Sequence, residues 1–116
     1  MTTQEIARLL VDFLNRRQFV EAIHALYGPD IESRENAGEP TCGYEAVLAN
    51  NEQWVRAHTI QRFDVAGCYV DVDTIVLEMN SDFTHTPTGR AIHSEEVGIY
   101  KVAGGKIRST RFYYGY

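Results

Sequence analysis

Between His58 and Ile60 the spacing of apolar residues changes from three and four to two, and no other feature constrains the fold of this chain as much. Upstream, the stretch TTQEIARLLVDFLNRR places Ile6, Leu9, Leu10, Phe13 and Leu14 on one helical face. Thr2 with Glu5 three residues on supplies a capping box for its start. FVEAIHALYGPD repeats the pattern with Phe19, Val20, Ile23 and Leu26 until Gly28-Pro29 forbids continuation. A third helical stretch, YEAVLANNEQWVRAH, carries the seam Tyr44, Val47, Leu48, Asn51, Trp54, Val55 and His58, apolar apart from Asn51 and His58.

Downstream, IQRFDVAGCYV, TIVLEMNSDFTHT, RAIHSEEVGIYKV and KIRSTRFYYGY alternate as strands do, with DVD, PTG and AGG between them as hairpin breaks. The expected architecture is therefore α+β in one domain spanning 1–116: a curved antiparallel sheet wrapped around three helices from the N-terminal half. Such a sheet leaves a cone with a cavity inside. A short strand, DIESREN, precedes the third helix and turns Ile31, Ser33 and Glu35 to one face, Glu32 and Arg34 to the other. On the outer face of the meander Val76, Val97 and Ile99, with STRFYYGY, would leave apolar surface bare in a monomer, so a homodimer through the sheet is expected.

The formal net charge of −5, from 16 acidic against 11 basic residues, disfavours nucleic acid and anionic membranes as partners. No charged-then-apolar leader and no apolar run approaching ~18 residues is present. Cys42 and Cys68 lack CxxC spacing and form no disulfide framework, so the chain reads as cytoplasmic. His24, His58, His85 and His93 show no metal-ligand spacing, AGG is no phosphate-cradling loop, and a nucleophile elbow is missing. Any catalysis is expected to be acid-base chemistry without cofactor or metal.

Glu35 is the leading candidate base. In a pocket lined by Trp54 and apolar strand residues it would lose solvation, which raises a carboxyl pKa toward the range useful for proton abstraction. The competing reading is a solvated acid at a strand end, paired with Arg34 or Arg90. His58 could face the same cavity or merely complement the end of a helix, and Asn51 could donate to a ligand oxygen or bond a neighbouring strand. With Pro87-Thr88 as a two-residue turn, Asp82 falls opposite His93 and Asn80 opposite Glu95. Asp82 and His93 then form a candidate acid-base dyad, or a surface or interface pair if their face is the outer one. Leu77, Met79, Phe83 and Ile92 lie on the other, more apolar face, where Ser81, Ser94 and Glu96 are the polar exceptions and Glu96 a second candidate pocket acid. Tyr113 and Tyr114 point to opposite faces, so one could offer its phenol to a ligand, and Tyr113 is counted with Asn51, Trp54, Met79, Phe83 and Glu96 as a candidate ligand contact.

The order of these elements, with ALYGPDIES at the helix-strand junction, GEPTCGYEAV in the loop and GGKI followed by RFYY in the last hairpin, resembles the nuclear transport factor 2-like superfamily and within it the SnoaL-like proteins. The resemblance covers essentially the whole chain. It implies a cone-shaped, usually dimeric fold with a pocket between the concave sheet and the helices. It does not imply one chemistry: ketosteroid isomerase, polyketide cyclases, scytalone dehydratase, limonene epoxide hydrolase and many non-catalytic binding or scaffolding domains share it. By the resemblance to ketosteroid isomerase, Glu35 stands at the general-base position, with a one-residue gap before GEP. Val11 stands where that enzyme keeps its oxyanion tyrosine and cannot donate a hydrogen bond. The Asp-Arg-Asp set of the epoxide hydrolase is echoed only by Arg62 and Asp64. The functional expectation is a pocket for a small, mainly apolar molecule, with isomerase, cyclase, dehydratase or hydratase chemistry, or else a non-catalytic ligand-binding or dimerisation module.

Overall fold

Thr2 opens the first helix as expected: its hydroxyl accepts from the Glu5 amide at 3.1 Å while its own amide donates to the Glu5 carboxylate at 2.9 Å. In the computed structural model, which describes residues 1–115, that helix is α1 (Thr3–Asn15), followed by α2 (Phe19–Leu26), β1 (Tyr27–Glu35), β2 (Thr41–Cys42), α3 (Tyr44–Ala57), β3 (His58–Asp71), β4 (Thr74–His85), β5 (Arg90–Ala103) and β6 (Lys106–Tyr113). The architecture is α+β, three helices against one six-stranded sheet. No helix is long and apolar enough to cross a membrane.

The sheet order is β2-β1-β6-β5-β4-β3, and β3 to β6 form the antiparallel meander that the alternating sequence calls for. The sheet as a whole is mixed. β1 lies parallel to β6, pairing Ser33 with Thr110 and Glu35 with Phe112, and so covers an edge that the meander would otherwise leave unpaired. On its far side β1 pairs with the two-residue β2, inside what the sequence reads as a plain loop. Register shifts in β3 between Ile60 and Arg62 and between Val65 and Gly67 bend that strand, and a bend of this kind is what curls a sheet.

The narrow end of the cone is filled. Ile6, Leu10 and Leu14 of α1 and Leu26 of α2 meet Ile31 of β1, Ile75, Leu77 and Met79 of β4 and Ile107 of β6 in one buried cluster. Gly98 makes its floor possible, because a β-carbon there would stand 2.9 Å from the Tyr100 ring and 3.0 Å from the Met79 methyl. The wide end is built differently. Along α3 only Val47 is buried, so this helix roofs the concave face without packing down onto it.

The β3-β4 hairpin turns through Val72 at φ 53°, a left-handed conformation that a β-branched side chain adopts only under strain. Val72 is 85% exposed, so its side chain contributes little packing in return. Val72→Asn, which tolerates this conformation, is expected to stabilise the fold by about 1 kcal/mol in urea unfolding; a lower midpoint would contradict it.

Candidate functional site

Beneath α3 the cone holds a cavity of about 620 Å³ open at the wide end. Its apolar walls come from Leu10 and Leu14 of α1, Phe19 of α2, Trp54 of α3, Phe63 of β3, Met79 and Phe83 of β4 and Phe112 of β6. Strand alternation explains the inward set. β4 and β5 pair from Thr74–Lys101 to His85–Arg90 without a register shift, so Met79, Ser81 and Phe83 face inward together with Ser94 and Glu96.

Glu96 is the acid that has left bulk water. Burial, reinforced by the charge of Glu35, pushes its carboxyl from 4.5 up to about 7. Glu35 also lines the cavity, but at its mouth, and is itself exposed. The desolvation expected for Glu35 therefore falls on Glu96, because β1 ends at Glu35 and the chain there turns out toward solvent, whereas Glu96 stands mid-strand on β5. The strand register relates the two acids: Glu35 pairs with Phe112 on β6, and Val97, next to Glu96, pairs with Tyr113. Further in, burial raises the phenols of Tyr27 and Tyr100, and both remain protonated on the cavity wall.

Asn51, Trp54 and His58 all reach the cavity from the α3 seam. The His58 ring stacks on Trp54 with centroids 4.3 Å apart and meets Phe83 edge-on at 5.3 Å. Its Nδ1 lies 2.7 Å from the Trp54 carbonyl oxygen. A carbonyl can only accept, so Nδ1 carries the proton, and in the neutral ring Nε2 is left as an acceptor. The carbonyl oxygen of Asn51 is buried with no hydrogen-bond partner. Among the described residues no three His, Cys, Asp or Glu side chains gather to hold a metal ion.

Two other candidates lie elsewhere. Asp82 and His93 do pair across the β4-β5 hairpin, Nδ1 to Oδ1 at 2.7 Å, but on the convex face of the sheet, half exposed and away from the cavity. The register that places Glu96 inside necessarily places them outside. They belong to a surface network in which Arg62 donates to Asp82 at 2.8 Å and to Asp64 at 2.6 Å. The hydrogen bonds from Arg62 and then His93 hold the Asp82 carboxyl below its ordinary range. The Asp-Arg-Asp grouping that the sequence only half shows thus exists, but on the outer surface. Tyr113 is also directed outward, 40% exposed, with the Arg111 guanidinium over its ring at 5.1 Å. Phe112 precedes it facing in, and the residue that reaches the cavity beyond the strand end is Tyr114.

A carboxyl whose folded pKa exceeds its unfolded value binds its proton more tightly when folded, so it withdraws stability as pH rises from about 4.5 through about 7. Glu96→Gln should abolish that loss, leaving the variant more stable than the parent above pH ~7 by on the order of 3 kcal/mol and similar to it near pH ~4.5. Parallel pH-stability curves for the two proteins would show that Glu96 is not withdrawn from water.

The comparisons with known proteins agree with this geometry. The SnoaL-like domain model matches residues 7–110. A Mesorhizobium loti structure described as a candidate SnoaL-like polyketide cyclase (carbohydrate phosphatase) is 32% identical, with a TM-score of 0.92 over 98% of this chain and 100% of its own. A candidate polyketide cyclase from Pseudomonas putida, 19% identical, superposes with a TM-score of 0.80 over 99% of this chain and 92% of its own. A candidate isomerase from Bacillus subtilis, 15% identical, reaches 0.80 over 99% and 90%. These last two likenesses are of fold alone. No curated protein matches the chain. With its family model spanning nearly the whole sequence and its cone built as described, the chain belongs to the SnoaL-like domain family, within the nuclear transport factor 2-like superfamily.

Proposed function

We propose that this protein binds a small, mainly apolar molecule in the cone and moves a proton on it without a cofactor, with Glu96 as the group that exchanges the proton. One observation carries the reading: a carboxyl with a pKa of about 7 inside an aromatic-walled cavity of about 620 Å³. A group that titrates near neutrality is present both as acid and as base, the condition under which general acid-base catalysis is most effective. Glu35 at the mouth supports it in two ways. Its charge adds to burial in raising the Glu96 carboxyl, and as a second carboxyl beside the same space it can receive a proton on the way to solvent. His58 offers Nε2 from the opposite wall. The reaction class that suits this set is a proton shift next to a carbonyl, the elementary step shared by isomerisation, cyclisation and dehydration. The neighbours described as candidate cyclases and isomerases are consistent with it.

Hydrogen-deuterium exchange next to the carbonyl of tetralone, followed by NMR, tests the reading. Catalysed exchange should fall roughly 10²-fold in Glu96→Gln. If tetralone binds but the parent protein exchanges no faster than buffer, the non-catalytic ligand-binding reading replaces this one.

We further propose that the outer sheet face pairs with a second copy of the chain. Val76, Val97 and Ile99 form an apolar centre, with Val97 37% and Tyr69 57% exposed. Paired Arg34 and Arg111 lie to one side of it, while Glu78, Asp82 and Glu95 lie to the other. A two-fold axis through the centre lays basic against acidic ends in both copies. Val97→Asp should shift the sedimentation coefficient from dimer to monomer. A monomeric parent at micromolar concentration would end this proposal.

A further inference from the structure

The charged side chains that line the cavity have one sign, and it points to the ligand. Three carboxylates, Glu35, Glu39 and Glu96, line the space, and no Lys or Arg does. The uncommitted neutral groups lean the same way. The Asn51 side-chain Oδ1 has no donor, and His58, donating its Nδ1–H to the Trp54 backbone carbonyl, presents Nε2 as an acceptor in its neutral form. Amide and hydroxyl groups that could have donated are partly spent within the wall: the Asn50 amide nitrogen donates to Thr41 at 3.1 Å and the Thr110 hydroxyl to Ser33 at 2.8 Å. The hydroxyls of Ser81 and Ser94 and the phenols of Tyr27 and Tyr100 serve either way. The apolar wall includes the Trp54 indole, stacked on one face by the His58 ring at 4.3 Å.

An anionic ligand would enter this space against carboxylates with no counter-ion to meet it, and burying an unpaired charge is costly. A protonated amine meets the opposite situation. We infer that the cavity takes a ligand bearing a protonated amine, its ammonium held at the mouth between Glu35 and Glu39 and its apolar body against Trp54. Glu35 and Glu39 are both exposed, so the ammonium keeps part of its hydration as it pairs. The inference rests on the cavity being the ligand site, and it assigns the substrate class that the acid-base reading leaves open.

The same geometry links binding to the catalytic proton. The charged and titratable groups around Glu96 are Glu35 from β1, Glu39 from the loop, Tyr27 and Tyr100 on the inner wall, Tyr114 beyond β6 and His58 at the end of α3. Of these Glu35 is the one whose charge adds to burial in raising Glu96. An ammonium seated on Glu35 offsets that charge and removes the smaller part of the shift, the larger part being burial, so a fraction of Glu96 releases its proton as the ligand arrives. Amine binding therefore strengthens as pH rises through about 7 and releases protons at neutral pH.

The test uses three probes on one scaffold: aminotetralin, its uncharged N-acetyl derivative and tetralin carboxylate. Binding is read from the indole N–H signal of Trp54, the sole tryptophan, and proton release by calorimetry in buffers of different ionisation enthalpy. Aminotetralin should bind at least tenfold more tightly than the acetylated probe, release protons at neutral pH, and lose its advantage in Glu35→Gln/Glu39→Gln. The carboxylate should not bind where the acetylated probe saturates. Equal affinity for the amine and the acetylated probe, binding of the carboxylate, or an amine preference that survives the double variant would each overturn the inference. An amine preference without any catalysed exchange on tetralone sinks the acid-base reading and leaves this one standing. Exchange without an amine preference does the reverse.

Discussion

The uninterrupted pairing of β4 with β5 is the constraint from which the site follows. Side chains alternate along a strand, so one slip in that register would exchange the two faces of the sheet at every position beyond it. As it stands, the pairing sends Leu77, Met79, Phe83 and Glu96 into the cone and Asp82, His93 and Glu95 out of it. The sheet slips elsewhere, in β3, between Tyr27 and Glu32 of β1 and between Lys101 and Val102 of β5, and the β4-β5 pairing that places Glu96 is left in step.

Much of this is written in the sequence. The change of hydrophobic period near His58 marks where helices give way to strands, and a turn centred on Pro87-Thr88 sets Asp82 against His93 as expected. The turn itself spans Thr86 to Gly89 and is closed by the Gly89 amide donating to the His85 carbonyl at 2.8 Å. The more apolar face of β4 is the concave one, and Glu96 can be found as a polar exception upon it. The α3 seam delivers Asn51, Trp54 and His58 to the cavity at helical spacing.

What the sequence does not show is long-range. The parallel pairing of β1 with β6 joins residues nearly eighty positions apart, and nothing local in IESREN announces it. Solvation is of the same kind: Glu35 looks like the pocket acid from its strand face and its place in the family pattern, yet a strand end at the rim is wet. Glu96 is legible as a candidate pocket acid from its strand face, but how far it is withdrawn from water is set only by the fold. Tyr113 and Tyr114 differ for a similar reason, since the chain leaves β6 between them.

The two acids on the concave side divide their work by depth. One stands exposed at the rim; the other is withdrawn from water, its carboxyl raised to about 7 by burial first and by the charge of Glu35 second. Among the described residues no arginine or lysine lines the cavity, so an ionised Glu96 meets no counter-ion from the wall.

The roof of the cone is α3, anchored by the single buried side chain of Val47, while the load of folding rests on α1, α2 and the inner faces of β1, β4 and β6. Side chains along the underside of that helix can be exchanged at small cost to the core, since few of them belong to it. Natural variation can therefore reshape the cavity while its foundation is kept, a separation that favours evolvability.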